Sequence, residues 1–252
     1  MIHFVGAGPG APDLITLRGA ALLTEADCII YAGSLVNPAL LSRAKPECQI
    51  FNSATMTLEE VLAAMRRMEA DGKTTVRLHT GDPCLYGAIR EQMDALDAEG
   101  IPYEDTPGVS SFCGAAAALG AEYTLPGVSQ SVIITRLAGR TPVPETESLT
   151  SLAAHGASMV VFLSAGLLPG VQASLLEGGY TETTPAALVY KATWPEEKIV
   201  RCTVGTLAQC GADAGITKTA LILVGGFLGG NYDRSKLYDP AFTTEYRKGN
   251  AE

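Results

Sequence analysis

The chain has 252 residues, of which 47% are hydrophobic and 18% charged, a composition typical of a globular protein with ample material for buried cores. Its 27 acidic and 18 basic residues give a formal charge of −9, so nucleic acid is not expected as a partner, because neutralising a phosphate backbone requires a basic face. A chain of this length exceeds what one core usually holds, and two domains are therefore expected.

The apolar stretches, the N-terminal sequence and the cysteines bear on membrane insertion, secretion and metal binding. Residues 160–168 and 220–228 are too short to span a bilayer and are interrupted by Gly or Ser, so no membrane partner is expected. The N-terminal sequence MIHFVGAGPG lacks the basic region and apolar core of a secretory signal. The six cysteines form no C-x-x-C pair, which indicates reduced thiols and no metal site. These features favour a cytoplasmic protein.

In chain order, the first half alternates strand-like and helix-like patterns. Short apolar runs predict strands at residues 2–5, 28–31 and 75–78. Helical periodicity and composition predict helices at residues 16–25, 58–70, 88–99 and 110–119. Strands that alternate with helices imply crossover connections, and hence a largely parallel sheet.

A second series of elements begins after residues 120–127, which are rich in turn formers. The predicted strands are residues 131–135, 159–163, 187–190 and 220–224. The predicted helices are residues 147–154, 169–177 and 206–212. The fold class is therefore α/β, with an N-terminal domain of residues 1–120 and a C-terminal domain of residues 121–252.

The segment GAGPGA, residues 6–11, follows the first strand with the spacing of the dinucleotide fingerprint G-x-G-x-x-[GA]. That fingerprint holds a pyrophosphate on backbone N–H groups, and an acidic residue after the second strand binds the ribose. Pro9 and Pro12 each remove a donor, and the second strand ends in YAGS, without a carboxylate. A nicotinamide or flavin cofactor is therefore not expected. A close-approach turn beside a ligand and a simple tight turn both remain open.

The segment TGDPCLYG, residues 80–87, lies where the third strand ends, the edge at which open α/β sheets bind ligands. Gly81 permits close backbone approach, and Pro83 biases Asp82 toward extended backbone. Asp82 could accept hydrogen bonds from an ammonium or hydroxyl group of a ligand. The commoner role of Asp in an isolated G-D-P is to cap its own turn.

Two further loops are candidates for ligand contact: one precedes the predicted helix at residues 110–119, and the other follows the predicted strand at residues 187–190. In TPGVSS, residues 106–111, either Ser110 or Ser111 suits the N-cap of the next helix, and a hydroxyl that faces a ligand is the alternative. The segment KATWPEE, residues 191–197, contains the only tryptophan, Trp194, whose simplest role is to cover a surface corner.

The segment QSVIITRLAGRTPVPE, residues 130–145, is the most informative about a ligand. An apolar strand leads into Arg136 and then Arg140, beside prolines that stiffen the backbone. Arginine forms planar, bidentate bonds with carboxylates and phosphates, so the segment predicts a site for an acidic ligand. The alternative is a pair of solvated loop arginines. The chain lacks the nucleophile motif G-x-S-x-G and the phosphate-binding motif G-x-x-x-x-G-K-[ST]. No sequence motif therefore supports a hydrolase or phosphoryl-transfer function.

Five segments in register resemble the tetrapyrrole (corrin and precorrin) methyltransferases, which use S-adenosylmethionine. They are GAGPGAPDLITLRG, TGDPCLYG, TPGVSS, YKATWPEEKI and KTALILVGG. The segment QSVIITRLAGRTPVPE, with SKLYDP near the end, is similar to the branch of this family that acts on carbon 11 of precorrin-4. The resemblance covers nearly the whole chain.

The resemblance implies two α/β domains in tandem with a cofactor cleft between them, and a homodimer. Residues 1–120 would form the macrocycle side of the cleft with the G-D-P loop, and residues 121–252 the cofactor side. Leu163 stands where relatives often have methionine. The resemblance assigns no catalytic base and no metal, and Arg136 and Arg140 would bind substrate carboxylates. The residues implied to enclose S-adenosylmethionine are Pro9, Gly81, Asp82, Pro83, Ser110, Ser111, Leu163, Ala192, Thr219 and Ala220.

The implied function is transfer of a methyl group from S-adenosylmethionine to carbon 11 of precorrin-4 or cobalt-precorrin-4 in cobalamin biosynthesis, with S-adenosylhomocysteine as product. The sulfonium carries the activation, so the protein supplies proximity and orientation. The alternatives are methylation of another precorrin position or of uroporphyrinogen III, a nucleotide-dependent oxidoreductase, and a non-catalytic tetrapyrrole carrier. The presence of cobalt in the substrate stays open.

Overall fold

The computed structural model describes residues 1–250, which form two compact units. The first unit comprises Met1–Ala115 together with Lys191–Glu197. The second comprises residues 116–190 together with the chain from residue 198 onward. Each unit contains one five-stranded sheet, and the predicted α/β class is confirmed. The predicted division at residues 120 and 121 remains a prediction about domains.

The sheet of the first unit is parallel throughout, with the strand order β3-β2-β4-β1-β5. Its strands are β1 (Ile2–Gly6), β2 (Cys28–Tyr31), β3 (Gln49–Asn52), β4 (Thr75–His79) and β5 (Tyr103–Thr106). The helices of this part of the chain are α1 (Leu17–Glu25), α2 (Leu58–Ala70), α3 (Arg90–Ala98) and α4 (Ser111–Leu119). The predicted parallel sheet is confirmed. The sequence did not predict β3, an edge strand whose side chains are mostly exposed.

Local sequence explains where the helices begin. Thr57 and Glu60 form a reciprocal capping box at the start of α2, in which each side chain accepts a hydrogen bond from the other residue's amide. Thr16 caps α1 through its Oγ1 atom, which accepts from the amide of Gly19 at 3.1 Å. Helix α2 buries Met65 against the sheet, and burial of such a side chain contributes about 1.5–3 kcal/mol.

The sheet of the second unit is mixed, with the strand order β6-β7-β10-β8-β9. Its strands are β6 (Val132–Arg136), β7 (Ser158–Phe162), β8 (Pro185–Tyr190), β9 (Lys198–Thr203) and β10 (Ala220–Val224). Its helices are α5 (Leu149–Ala153), α6 (Leu168–Glu177) and α7 (Leu207–Asp213). Strands β6 and β7 are parallel, whereas β10 is antiparallel to β7 and β8, and β9 is antiparallel to β8. The sequence did not predict β9, which forms an edge.

The direction of β10 decides which residues share an edge of this sheet. Ala220 pairs with Tyr190, and Ile222 pairs with Val161. The start of β10 therefore lies at the edge where β7 and β8 end. Because Arg136 pairs with Phe162 in the parallel direction, β6 ends at this edge as well.

The six cysteines are free thiols in the structure. Burial is the main cause that raises the pKa of the Cys28 thiol to about 12 and that of the Cys202 thiol to about 12. These sulfur atoms are therefore protonated at neutral pH. Within residues 1–250, no helix is long and apolar enough to cross a bilayer, and no group of three or more His, Cys, Asp or Glu side chains is arranged to hold a metal ion.

Strand β4 buries two basic side chains, Arg77 and His79, which are 6% and 4% exposed. Arg77 donates from Nε to the Oε1 of Gln92 and from a terminal nitrogen to the carbonyl of Ile30, both at 3.1 Å. Burial lowers the pKa of Arg77 to about 10, so its guanidinium stays charged at neutral pH. Burial, assisted by the charge of Arg77, lowers the pKa of His79 to about 3. His79 is therefore neutral, and its Nε2 has no hydrogen-bond partner among the described residues.

We expect His79 to make the fold sensitive to acid. The unfolded chain takes up a proton on this side chain below a pKa near 6.5, whereas the folded chain does so only near 3. The contribution of His79 is therefore complete above that unfolded pKa and declines as the pH falls toward 3. Between neutral pH and about pH 5, it should lower the free energy of unfolding by about 2 kcal/mol.

Urea unfolding of the wild type and of His79→Asn, at neutral and at acidic pH, measures this contribution. The variant should lose less stability on acidification than the wild type does. His155→Asn serves as the control, because His155 is exposed. Equal pH dependence in the wild type and His79→Asn would refute the assignment.

Candidate functional site

Three loops of the first unit leave the adjacent strands β4, β1 and β5 at one edge of the sheet and touch through their backbones. A Cβ atom on Gly6 would lie 2.5 Å from the Cα of Gly108, and one on Gly108 would lie 2.1 Å from the carbonyl oxygen of Gly81. Real Cβ atoms do not approach other atoms so closely. Glycine at positions 6 and 108 therefore allows the loops that follow β1, β4 and β5 to meet.

Three backbone amides of the first loop are engaged inside the protein. The amide of Ala7 donates to the carbonyl of His79 at 2.7 Å, and that of Gly8 donates to the carbonyl of Gly81 at 3.2 Å. The amide of Ala11 donates to a threonine hydroxyl at 2.9 Å. A pyrophosphate site needs such N–H groups to point at the ligand. The amides of Ala7, Gly8 and Ala11 point at protein acceptors instead, so the glycine motif here serves backbone packing.

Asp82 joins two of these loops. Its Oδ1 accepts from the amide of Cys84 at 2.8 Å, and its Oδ2 accepts from the amide of Gly108 at 2.9 Å. Burial opposes ionisation of this carboxyl, but its hydrogen bonds with Cys84 and Gly108 outweigh burial, and the pKa of Asp82 is lowered. The carboxylate therefore caps its own turn, as the G-D-P sequence suggested, and also fastens the loop after β5.

The same carboxylate affects the neighbouring thiol. A hydrogen bond to Asp82 is the main cause that raises the pKa of Cys84 to about 11. The exposed thiol of Cys84 is therefore protonated at neutral pH and is a weak nucleophile.

Ser110 provides the start of α4. Its carbonyl accepts from the amides of Cys113 and Gly114, at 3.0 and 3.3 Å. The residue is buried, and Ser111 is the first residue of the helix. Of the two serines that the sequence offered as an N-cap, Ser110 occupies that position.

Most of the residues that the resemblance assigned to a cofactor shell lie around these loops of the first unit. A Cβ on Gly81 would lie 3.3 Å from the amide nitrogen of Ser111, and one on Gly10 would lie 2.9 Å from the carbonyl oxygen of Ala192. The assigned residues within this unit are Pro9, Gly81, Asp82, Pro83, Ser110, Ser111 and Ala192.

The other three assigned residues, Leu163, Thr219 and Ala220, lie at one edge of the second sheet. Leu163 follows the end of β7, and Thr219 immediately precedes β10. Both have left-handed backbone, with φ of 53° and 56°. This conformation costs a residue other than glycine about 1 kcal/mol or more and is commonly found at functional sites. The side chain of Leu163 is 66% exposed, which is unusual for a leucine beside a buried strand.

The two arginines that follow β6 have different surroundings. Arg136 donates to the carbonyls of Thr141 and Pro142, at 3.1 and 2.6 Å, and so holds the turn that follows it. Arg140 lies within that turn and is exposed. The structure thus makes Arg136 a support of the turn and leaves Arg140 presented to solvent.

Sequence reasoning missed the role of Gly108. Its segment was considered for the two serines, whereas the structure shows that Gly108 is the contact point of three loops. The available signal was a Pro-Gly pair after a strand, at the edge where two other glycine turns were expected.

The chain is similar to proteins of known function over nearly its whole length. Residues 1–208 match the family described as tetrapyrrole (corrin/porphyrin) methylases. The cobalt-precorrin-4 C(11)-methyltransferase of Methanocaldococcus jannaschii is 53% identical over 248 residues, which cover 98% of this chain and 96% of that protein.

Two solved structures have closely similar folds. The X-ray structure of a cobalt precorrin-4 methyltransferase, a cobalamin biosynthetic enzyme, matches with a TM-score of 0.89 and 48% identity, over 91% of this chain and 96% of that one. The uroporphyrin-III C-methyl transferase of Thermus thermophilus, in complex with S-adenosyl homocysteine, matches with a TM-score of 0.77 and 26% identity, over 90% of this chain and 98% of that one. The resemblance predicted from the sequence motifs is confirmed, and the chain belongs to the tetrapyrrole (corrin/porphyrin) methylase family.

Proposed function

We propose that the protein transfers a methyl group from S-adenosylmethionine to carbon 11 of precorrin-4, or of its cobalt complex, in cobalamin biosynthesis. The observation that carries this proposal is the 53% identity with the C(11)-methyltransferase of M. jannaschii across nearly the full length of both chains. The fold match to the cobalt precorrin-4 methyltransferase, at 48% identity, points to the same reaction. A homodimer and a cytoplasmic location stay predictions.

The character of the loops suits this cofactor better than a dinucleotide. S-adenosylmethionine supplies a methyl group on a positively charged sulfonium, and it has no pyrophosphate that would need a cluster of amide donors. The amides of Ala7, Gly8 and Ala11 are already bonded within the protein. We assign the cofactor shell to Pro9, Gly81, Asp82, Pro83, Ser110, Ser111, Ala192, Leu163, Thr219 and Ala220.

In this proposal the protein contributes to methyl transfer by orienting the two reactants and supplies no general base. Both oxygens of Asp82 already bind backbone amides, and His79 is buried and neutral. Neither side chain is placed as a general base. The loops after β1, β4 and β5 instead form a rigid support, and holding two reactants in a productive geometry can supply a large part of a rate enhancement.

For the acidic substrate we assign Arg140 as a direct carboxylate contact and Arg136 as its support. Arg140 is exposed in a turn that Arg136 holds through two backbone carbonyls. A tetrapyrrole with many carboxylates needs basic groups concentrated in one place on a protein whose net charge is −9.

The test is an assay of purified protein with S-adenosylmethionine and, in separate reactions, precorrin-4, cobalt-precorrin-4 and uroporphyrinogen III. We expect one of the first two to gain the mass of a single methyl group, located at carbon 11 by NMR of the product made with an isotope-labelled methyl. The preferred substrate identifies the cobalt state. Methylation of uroporphyrinogen III alone, or of no substrate, would overturn the proposal.

We expect Asp82→Asn to weaken S-adenosylhomocysteine binding and to slow turnover by similar factors, about fivefold to tenfold, because an amide cannot accept from both neighbouring amides. Calorimetric titration and steady-state kinetics measure the two effects. Normal affinity with complete loss of turnover would instead identify Asp82 as a general base.

The same variant should also activate one thiol. Without the carboxylate, the pKa of Cys84 should fall, and its alkylation by iodoacetamide at a fixed mildly alkaline pH should be faster. Peptide mapping can follow Cys84 beside Cys113, which is also exposed and does not depend on Asp82. Equal acceleration at both sites would mean general loosening of the structure.

We expect Arg140→Gln to raise the KM for the tetrapyrrole about tenfold, since a hydrogen bond to a charged group is lost. Its affinity for S-adenosylhomocysteine and its melting temperature should match the wild type. Arg43→Gln is the control, since it makes the same change at another exposed arginine. An unchanged KM in Arg140→Gln would remove Arg140 from the substrate site.

A further inference from the structure

The segment Lys191–Glu197 connects β8 to β9 and belongs to the first unit. It contains the chain's only tryptophan, Trp194, which lies against the glycine loop that follows β1. A Cβ atom on Gly10 would lie 2.1 Å from the Cδ1 of Trp194 and 2.3 Å from its Nε1. The indole therefore rests directly on the backbone of Gly10, and any larger residue at that position would displace it.

Two side chains of the segment bind the peptide groups on either side of Gly10. Trp194 donates from Nε1 to the carbonyl of Pro9 at 3.2 Å. Thr193 accepts, at its Oγ1, from the amide of Ala11 at 2.9 Å. Donor and acceptor are thus both supplied by neighbouring residues of one segment, which fixes the glycine loop at three successive positions.

The segment is itself held in a fixed shape. The amide of Thr193 donates to an oxygen of Glu197 at 2.6 Å, and the Nζ of Lys191 lies 4.9 Å from the centre of the indole ring of Trp194. Lys191 and Thr193 have left-handed backbone, with φ of 47° and 69°. Such a conformation persists only where surrounding contacts enforce it. Between these two residues lies Ala192, which is buried.

We propose that Thr193 and Trp194 are positioning residues for methyl transfer. Through their bonds to Ala11 and Pro9, they lock the glycine loop to the segment that carries Ala192. Pro9 and Ala192 are both assigned to the cofactor shell, so the lock sets the spacing of two parts of that shell. This inference rests on the proposed function, because it assumes that the shell binds S-adenosylmethionine and its product.

Two variants of Thr193 separate the effect of its hydroxyl group on binding from the effect of its branched shape. Thr193→Val keeps the branched shape but loses the acceptor for Ala11, and we expect its Kd for S-adenosylhomocysteine to rise about fivefold in calorimetric titration. Thr193→Ser keeps the hydroxyl and should bind nearly as the wild type does. Equal affinity of Thr193→Val and the wild type would overturn the role of Thr193.

The test of Trp194 compares two variants, Trp194→Phe and Tyr180→Phe, each of which loses one side-chain hydrogen-bond donor. Trp194→Phe loses the bond to Pro9, and its Kd should rise about fivefold. Tyr180→Phe loses a bond from a buried tyrosine hydroxyl to the carbonyl of Ala157 in the second unit, so it should lower the melting temperature without changing the Kd. If the two variants weaken binding equally, the effect of Trp194 is general destabilisation and the proposal fails for this residue.

Because Trp194 is the only tryptophan, its fluorescence gives a separate readout. Addition of S-adenosylhomocysteine to the wild type should shift the tryptophan emission saturably, with the Kd found by calorimetry. An unchanged emission during confirmed binding would show that the indole is not coupled to the cofactor shell. A wild-type protein that does not bind S-adenosylhomocysteine at all would instead overturn the proposed function.

Discussion

The mutual contact of Gly6, Gly81 and Gly108 is the constraint on which the first unit's loops depend. The loops after β1, β4 and β5 approach each other more closely than any side chain would permit. Only because they touch can the carboxylate of Asp82 reach the amide of Gly108 at 2.9 Å. The contact also requires β4, β1 and β5 to be parallel neighbours, so that their ends meet at one edge. Sheet order, glycine placement and the hydrogen bonds of Asp82 are therefore parts of one arrangement.

This arrangement also determines the chemistry that the loops can perform. The amides of Ala7 and Gly8 are bonded inside the protein, the carboxylate of Asp82 is held by two amides, and the adjacent histidine is buried without a charge. Such a site is poor in acid–base groups and rigid in shape. It is suited to a reaction in which one reactant is already activated and the protein controls distance and direction.

Sequence patterns predicted the elements whose signals are local. The bounds of α2, residues 58–70, agree with the structure because a capping box begins the helix and an Asp-Gly turn ends it. The edge strands β3 and β9 were missed because their exposed faces weaken the apolar pattern. The antiparallel direction of β10 could not be predicted, because an apolar run predicts a buried strand and not the direction in which it pairs. The glycine motifs located the loops, but the bond from Ala11 to Thr193 joins residues 182 positions apart, and no local pattern reveals such a pairing.

The pKa values of the cysteine thiols have a consequence for the proposed methyl transfer. Thiolates attack methyl sulfonium compounds readily, whereas neutral thiols do so poorly. Burial holds the pKa of Cys28 and of Cys202 at about 12, and the bond to Asp82 holds that of Cys84 at about 11. These sulfur atoms are thus kept in their unreactive form at neutral pH. The carboxylate that fastens the loops thereby also keeps the exposed sulfur of Cys84 protonated, and so weakens it as a competing nucleophile.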